Sequence, residues 1–330
     1  MLSHSPISFA RKALFAVLIL VVSGAISAPV YGAMVLTPTA IAQGLTLSTF
    51  ASGFPSSSSV GPLGVAFVPG GGVLASDYPG NVRLFPTDTD GQLASSVPVA
   101  QNYGGANAVD LAQIGANIYM TQQSNGDLVQ INANGTFNQT IVTGMPAATG
   151  MVADPFTGHL FVSTLGNNVI WNVDPIAKTK TAFVNASADG LTISADGTEI
   201  YGEVNGHIIG WSATTGLQLF DSGLIPGGPD GAAIGAGPFS GQLFVNTNGG
   251  QLYEINQSTL AQTLLATGGS RGDFVTVDPT TNTLLLTQTD SILRLSGATF
   301  VSSTPEPATC LLTGLAILGM GYARRRILPR

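Results

Sequence analysis

The chain has 330 residues, 9% of them charged and 44% hydrophobic, and its net charge of −7 conceals 5 Lys and Arg against 17 Asp and Glu between residues 43 and 300. A body so poor in positive charge excludes nucleic acid, whose binding needs a basic face, and adhesion to anionic lipid. The one cysteine, Cys310, lies in an apolar terminal stretch, which excludes an intramolecular disulfide, a Cys-x-x-Cys metal site and cysteine catalysis in the body.

The chain starts with a basic pair, Arg11 and Lys12, then an unbroken apolar run over residues 13–22, then Ser23, Gly24 and Ala25. This order predicts an export signal. The run falls short of the roughly 20 residues that span a bilayer, although an N-terminal membrane anchor is the alternative. Cleavage could follow Ala25, Ala33 or Ala42, and Ala40-Ile41-Ala42 fits the small-x-small rule best. Residues 1–42 are therefore assigned to signal and leader.

Residues 43–303 repeat. Six stretches begin at Leu63, Asn107, Thr149, Asp189, Asp230 and Gly272, spaced by 44, 42, 40, 41 and 42 residues. Each opens with a short apolar strand and turns through Asp, Pro or Gly. A second apolar strand follows, then a tight turn such as Asn205-Gly206 and a third, alternating strand. Asn-Gly is favoured in two-residue hairpins. Most units add a weaker fourth strand. Four strands at this period predict an all-β, six-bladed propeller, in which each small sheet buries its two apolar faces only against its neighbours. An open solenoid and a β-sandwich are the alternatives. The last unit stops after three strands, and the stretch from Leu45 to Phe50 is expected to supply its fourth, joining the chain's two ends and hiding edge strands.

The third unit, HLFVSTLGNNVIWNVDP from His159, resembles the repeats of NHL and SMP-30 (gluconolactonase-like) six-bladed propellers. The resemblance spans the body and rests on strand-turn pattern rather than on fixed chemistry.

The heads of the first strands carry Asn107, Thr149, Asp189 and Asp230, with Asp273 beside Gly272 and with Leu63 in the first unit. The ends of the second strands carry Asp77, Gln122, Thr164, Glu203, Asn246 and Gln288. If these oxygens converge at one mouth they suit a hard cation such as Ca²⁺. The metal-site candidates are Asn107, Thr149, Asp189, Glu203, Asp230 and Asp273, and Asp189 and Asp230 are the catalytic candidates. The SMP-30 resemblance implies a metal-dependent lactonase site, with Asp189 where that family has an Asn ligand and Glu203 near the family's Asp. The Glu that opens the family's first blade is replaced here by Leu63. A second reading takes each Asp-Gly pair as a turn, with Gly at positive φ.

Other chemistry is absent or weak. His159 and His207 occupy non-matching places, and no Gly-x-Ser-x-Gly elbow occurs. The Gly-rich VPGGGV from Val68 joins two strands and is not a phosphate loop. Arg271-Gly272-Asp273 spells an adhesion tripeptide that three residues produce by chance. Trp171 and Trp211 occupy like places on third strands and are expected to pack between blades.

At the end of the chain, Pro305-Glu306-Pro307 stands before a charge-free run over residues 308–323 and then Arg324, Arg325 and Arg326. The run reads as a transmembrane helix with the arginines on the cytoplasmic side. The order closely resembles the PEP-CTERM sorting signal, covering residues 304–330. It implies recognition by an exosortase, an inner-membrane stage before processing, and delivery to the envelope or extracellular matrix of a Gram-negative bacterium. An ordinary C-terminal anchor is the alternative.

The expected protein is thus an exported propeller acting as a non-catalytic binding or structural protein, with a glycan, protein or small molecule at one face and no cofactor required. A Ca²⁺-dependent lactonase or esterase is the alternative.

Overall fold

The computed structural model describes residues 33–236 and 239–297. The expected export signal and the Pro305–Arg326 sorting segment with its helix lie outside the described residues. No helix among the described residues is long and apolar enough to cross a membrane.

Six sheets follow one another along the chain, each an antiparallel meander of four strands. Blade one comprises Pro62–Val68, Gly72–Asp77, Asn81–Phe85 and Val99–Asn102. Blade two comprises Leu111–Ile114, Asn117–Gln122, Asp127–Ile131 and Phe137–Val142. Blade three comprises Ala148–Ala153, Leu160–Thr164, Val169–Asp174 and Thr179–Val184. Blade four comprises Leu191–Ile193, Glu199–Val204, His207–Ser212 and Gln218–Asp221. Blade five comprises Pro229–Ile234, Gln242–Thr247, Leu252–Asn256 and Gln262–Thr267. The turn chemistry operates as the residue types require. Asn205 and Gly206 take φ of 53° and 85° and close a two-residue hairpin in which Val204 faces His207.

Blade six takes Val275–Val277, Leu284–Thr287 and Ser291–Gly297 from the end of the body. Its fourth strand is Leu45–Ser52 from the start, antiparallel to Ser291–Gly297 with Leu45 opposite Gly297. The expected clasp is therefore present. It is reinforced by Arg294, buried in this blade. Arg294 bonds Asp278 of the same blade at 3.1 Å, and Asp90 at 2.8 Å and Asp88 in the loop after the third strand of blade one. Two short strands add to the expected plan. Val35–Leu36 pairs with Gln262–Thr267 on blade five, and Gln92–Leu93 runs parallel to Ala51–Ser52. Residues 34–42, read from sequence as leader, thus carry a strand and the helix Pro38–Ala42. Met34 and Ala40 of this segment are buried with Leu265 and Leu286.

The core is divided among the interfaces. One apolar cluster joins each neighbouring pair of blades: Leu74 meets Ile118, Tyr119 meets Leu160, Phe161 meets Ile200 and Tyr201 meets Leu243. Phe244 meets Leu284, and Phe85 meets Phe50 to close the circle. Each sheet is therefore apolar on both faces, and neither face is covered without its neighbours.

Candidate metal and ligand site at the channel mouth

Strand pairing sets which residues are equivalent. Val65 faces Ala75, Leu111 faces Met120, Met151 faces Val162 and Leu191 faces Gly202. Ala232 faces Val245 and Val275 faces Leu286. Two residues ahead of these, the heads of the six first strands are Leu63, Val109, Thr149, Asp189, Asp230 and Asp273. The sequence reading placed Asn107 and Gly272 in this set. In blade two it was two residues early, because the second repeat's longer spacing falls in the loop before the strand. Asn107 is tied instead to that loop's neighbour, accepting from the backbone N–H of Asn125 at 3.0 Å.

Glycine follows four of the heads, and its reason differs from the turn reading. Gly150, Gly190 and Gly231 do not have positive φ. A Cβ on Gly150 would lie 2.2 Å from the Asp189 carbonyl oxygen, and one on Gly231 would lie 2.0 Å from that of Asp273. The glycines let adjacent first strands touch, and this contact crowds the acidic heads together. Asp196-Gly197 is a turn as expected, with Gly197 at φ 72°.

Glu203 completes the cluster from the second strand of blade four. In blades one, two and six the equivalent residue is a hydroxyl that accepts from the first strand of its own blade. Ser76 accepts from Gly64 N at 2.9 Å, Thr121 from Asp110 N at 3.0 Å and Thr287 from Phe274 N at 2.7 Å. Glu203 Oε1 does the same for Gly190 N at 2.5 Å, but its Oε2 is buried with no hydrogen-bond partner. One carboxylate oxygen from each of Asp189, Glu203 and Asp230 lies within 4.8 Å of the others. Asp273 adds a second buried, unpartnered oxygen, Oδ2. Arg271 partly balances the charge, with Nη2 3.0 Å from Asp230 and 2.8 Å from Asp273.

Burial dominates the acidities. It pushes Glu203 well above its ordinary value, with the charges of Asp189 and Asp230 adding to the effect. It pushes Asp230 up to about 9, helped by Asp189 and Asp273 and opposed by Arg271. Asp273 is raised by burial, with Arg271 opposing. Carboxylates that crowd together with two buried oxygens left without donors are the arrangement a hard divalent cation relieves.

At the mouth is a cavity of about 170 Å³, lined by the polar Asp189, Asp273, Arg271 and Thr149 and by the apolar Leu63, Val109, Leu165 and Phe274. Thr149 contacts the cluster weakly, its hydroxyl lying 3.5 Å from Asp189 Oδ1. The middle and far parts of the first strands line a second cavity of about 280 Å³. Sequence reading passed over Asp110 there. Asp110 occupies the place that glycine holds in four other blades, and its buried carboxylate accepts from Leu111 N at 2.8 Å and Met151 N at 2.6 Å, tying blade two to blade three. A carboxylate at a glycine position was the available signal.

The remaining candidates serve the scaffold. Asp77 pairs with Arg83 at 2.5 Å inside blade one. Thr164 accepts from Trp171 Nε1 at 3.3 Å, and Asn246 donates to the Thr287 carbonyl at 2.8 Å. Gln122 accepts from Asn125 Nδ2, and Gln288 donates to the Thr287 carbonyl at 3.0 Å. His159 and His207 bond Asn172 and Asp221 at 2.7 Å on third-strand hairpins. Trp211 is buried between blades three and four, as expected. Arg271 and Asp273 are bonded to each other in the mouth, so they do not form a displayed adhesion loop.

Fold and site together define a six-bladed β-propeller with an acidic channel mouth. Among solved structures the chain is similar to a gluconolactonase from Xanthomonas campestris, at 16% identity and a TM-score of 0.60, covering 79% of this chain and 94% of that one. It is also similar to a glucose dehydrogenase-type oxidoreductase from Thermus thermophilus, at 18% identity and a TM-score of 0.59, covering 77% and 100%. Virginiamycin B lyase from Staphylococcus aureus matches at 15% identity and a TM-score of 0.52, covering 76% and 99%. At these identities the likeness is one of fold. No protein-family profile matches the chain, and no curated protein does.

Proposed function

We propose that this protein is an exported propeller that binds a hard divalent cation such as Ca²⁺ at the channel mouth and presents it to a small ligand. Asp189, Glu203 and Asp230 would hold the cation, with Asp273 beside them. The observation that carries this reading is Glu203: a buried carboxylate at a position where blades one, two and six need only a hydroxyl, with one oxygen unpartnered and with the carboxylates of Asp189 and Asp230 close by. The donor set is all carboxylate oxygen, which suits Ca²⁺ and not a soft metal. Isothermal titration of the chelator-treated protein with CaCl₂ tests this. One site that is lost in Glu203→Gln supports it, and no binding up to millimolar CaCl₂ overturns it.

Hydrolysis of lactones or esters at the same mouth is the second reading. It is favoured by the likeness to a gluconolactonase, by the acidic cluster and by Arg271 beside it. A bound cation would supply polarisation of a carbonyl oxygen. The first-blade head is Leu63, so any such activity rests on the carboxylates of blades four to six alone. Turnover of a lactone and ester panel that disappears in Asp189→Ala and Asp230→Ala would support this reading.

For residues 1–32 and 304–330, the proposal is export followed by exosortase sorting through Pro305, Glu306, Pro307 and Arg324–Arg326 to the envelope or extracellular matrix. Cell fractionation of the wild type against Glu306→Ala tests the sorting step. A mature product still carrying its C-terminal peptide in both would count against it.

A further inference from the structure

Around the ring the six head positions change character once. Leu63 and Val109 are apolar neighbours, Thr149 carries a hydroxyl, and Asp189, Asp230 and Asp273 are three carboxylates in succession. Leu63 and Val109 form a small apolar cluster with Val60 and Phe274, with Tyr78 against it, separate from the six clusters between blades. These side chains line the same cavity as Asp189, Arg271 and Asp273. The one cavity therefore offers a hydrocarbon wall, clustered around Leu63, Val109 and Phe274, together with the charged groups of Asp189, Arg271 and Asp273. Tyr78 and Gln123 supply polar groups among the lining residues, and they bond each other. A polyhydroxylated ligand would leave hydroxyls without partners against this wall, at a cost in affinity.

Arg271 supplies the other half of the recognition. Its Nε donates to Asp273 at 2.9 Å and its Nη2 to Asp230 at 3.0 Å, while no bond among the described residues engages Nη1. The side chain is one-third exposed, so Nη1 can offer two N–H donors to an oxyanion in the mouth.

We infer that the mouth binds a short aliphatic carboxylate, its oxygens on Arg271 and the cation and its hydrocarbon end against Leu63, Val109 and Phe274. The inference deepens the cation reading and rests on it for part of the grip on the oxygens. The cavity of about 170 Å³ sets the length. At ~30 Å³ for each water-sized group, it holds five or six non-hydrogen groups. Propionate and butyrate, with five and six non-hydrogen atoms, fill it.

The test is a calorimetric series of acetate, propionate, butyrate, pentanoate and gluconate on the full chain, in saturating CaCl₂ and again in EDTA. Affinity should rise about fourfold per added methylene and level off near butyrate, and gluconate should bind more weakly than butyrate. A flat series, or gluconate binding more tightly than pentanoate, overturns the inference. The series needs no variant, so it does not depend on a mutant folding. Leu63→Asn should flatten the series, and Arg271→Gln should weaken every member alike. The two readings fail separately. A CaCl₂ titration without heat, beside a chain-length series that persists in EDTA, removes the cation and leaves the carboxylate site. Calcium binding beside a flat series removes the carboxylate site and leaves the cation.

Discussion

Glu203 sits where Ser76, Thr121 and Thr287 close their blades with a single hydroxyl. An amide there keeps an acceptor for Gly190 N and no longer has to bind a proton or carry a buried charge as the pH rises. Glu203→Gln should therefore raise the melting temperature of the cation-free protein at pH 8. It should also abolish the stabilisation by CaCl₂, which for one site at 100 times its Kd is about 2.7 kcal/mol. Thermal melts of both proteins in EDTA and in CaCl₂ check both effects. The pH dependence follows from the raised carboxylates. Asp230 keeps its proton in the fold up to about 9 and Glu203 is raised in the same direction, whereas in the unfolded chain both titrate near 4. The native state then holds more protons, and stability falls as pH rises from about 4 towards 9. Burial also lifts Asp110 to about 7, so its share of the decline is complete near that pH. Melts in EDTA should drop steadily from pH 5 to 9, and saturating CaCl₂ should flatten the upper part. A melting temperature that rises over this range in EDTA would contradict the assigned burial. The glycines that crowd the cluster are testable at the same scale. Gly231→Ala would place Cβ 2.0 Å from the Asp273 carbonyl oxygen, which is backbone and cannot step aside. Overpacking of this kind costs about 3 kcal/mol, and urea denaturation of the variant measures it.

Among the elements, the strand Leu45–Ser52 has the largest consequence, because it is the outer strand of blade six although it stands first in the body. A chain beginning at residue 53 should lose the cooperative melt, since blade six loses its edge and Phe50 leaves the interface with blade one. A chain beginning at residue 43 keeps that clasp but loses Val35–Leu36, Met34 and Ala40. It should melt several degrees lower than one beginning at residue 33 and still bind CaCl₂. Scanning calorimetry of the three truncations separates these outcomes. The alternation, turn residues and period made the clasp legible in the sequence, because a three-strand last unit needs a fourth strand from somewhere. The strands Val35–Leu36 and Gln92–Leu93 were not legible. Each is two residues long and carries no period, and each is defined only by the open edge it covers.

At the scale of the molecule, the ring has six interface clusters and no blade with a core of its own. Unfolding should be a single transition. Both tryptophans lie in blades three and four, so their fluorescence reports half the ring at most, while far-ultraviolet circular dichroism reports all of it. The two signals should coincide in a urea titration, and a fluorescence transition that precedes the other would show that the blades uncouple. The mixed mouth also belongs to this scale, because its apolar lining comes mostly from blades one, two and six and its charged groups from blades four to six.

The sequence by itself determined the number of blades, the four-strand unit, the clasp between the two ends, and Asp189, Glu203 and Asp230 as acidic groups at strand ends. These follow from periodicity and residue type, which are local. Only the tertiary structure decided that Asp77 is paired away with Arg83, that Asn107 lies outside the ring of heads, and that Gly190 and Gly231 are there for contact between blades. It also decided that Leu63 and Val109 line one cavity together with Arg271. The glycine contacts and the shared cavity join residues about 40 or more positions apart; the Asp77–Arg83 pair is local but needs the side chains' placement across neighbouring strands, and a two-residue shift of alignment, invisible in the repeat spacing, changes which side chains meet.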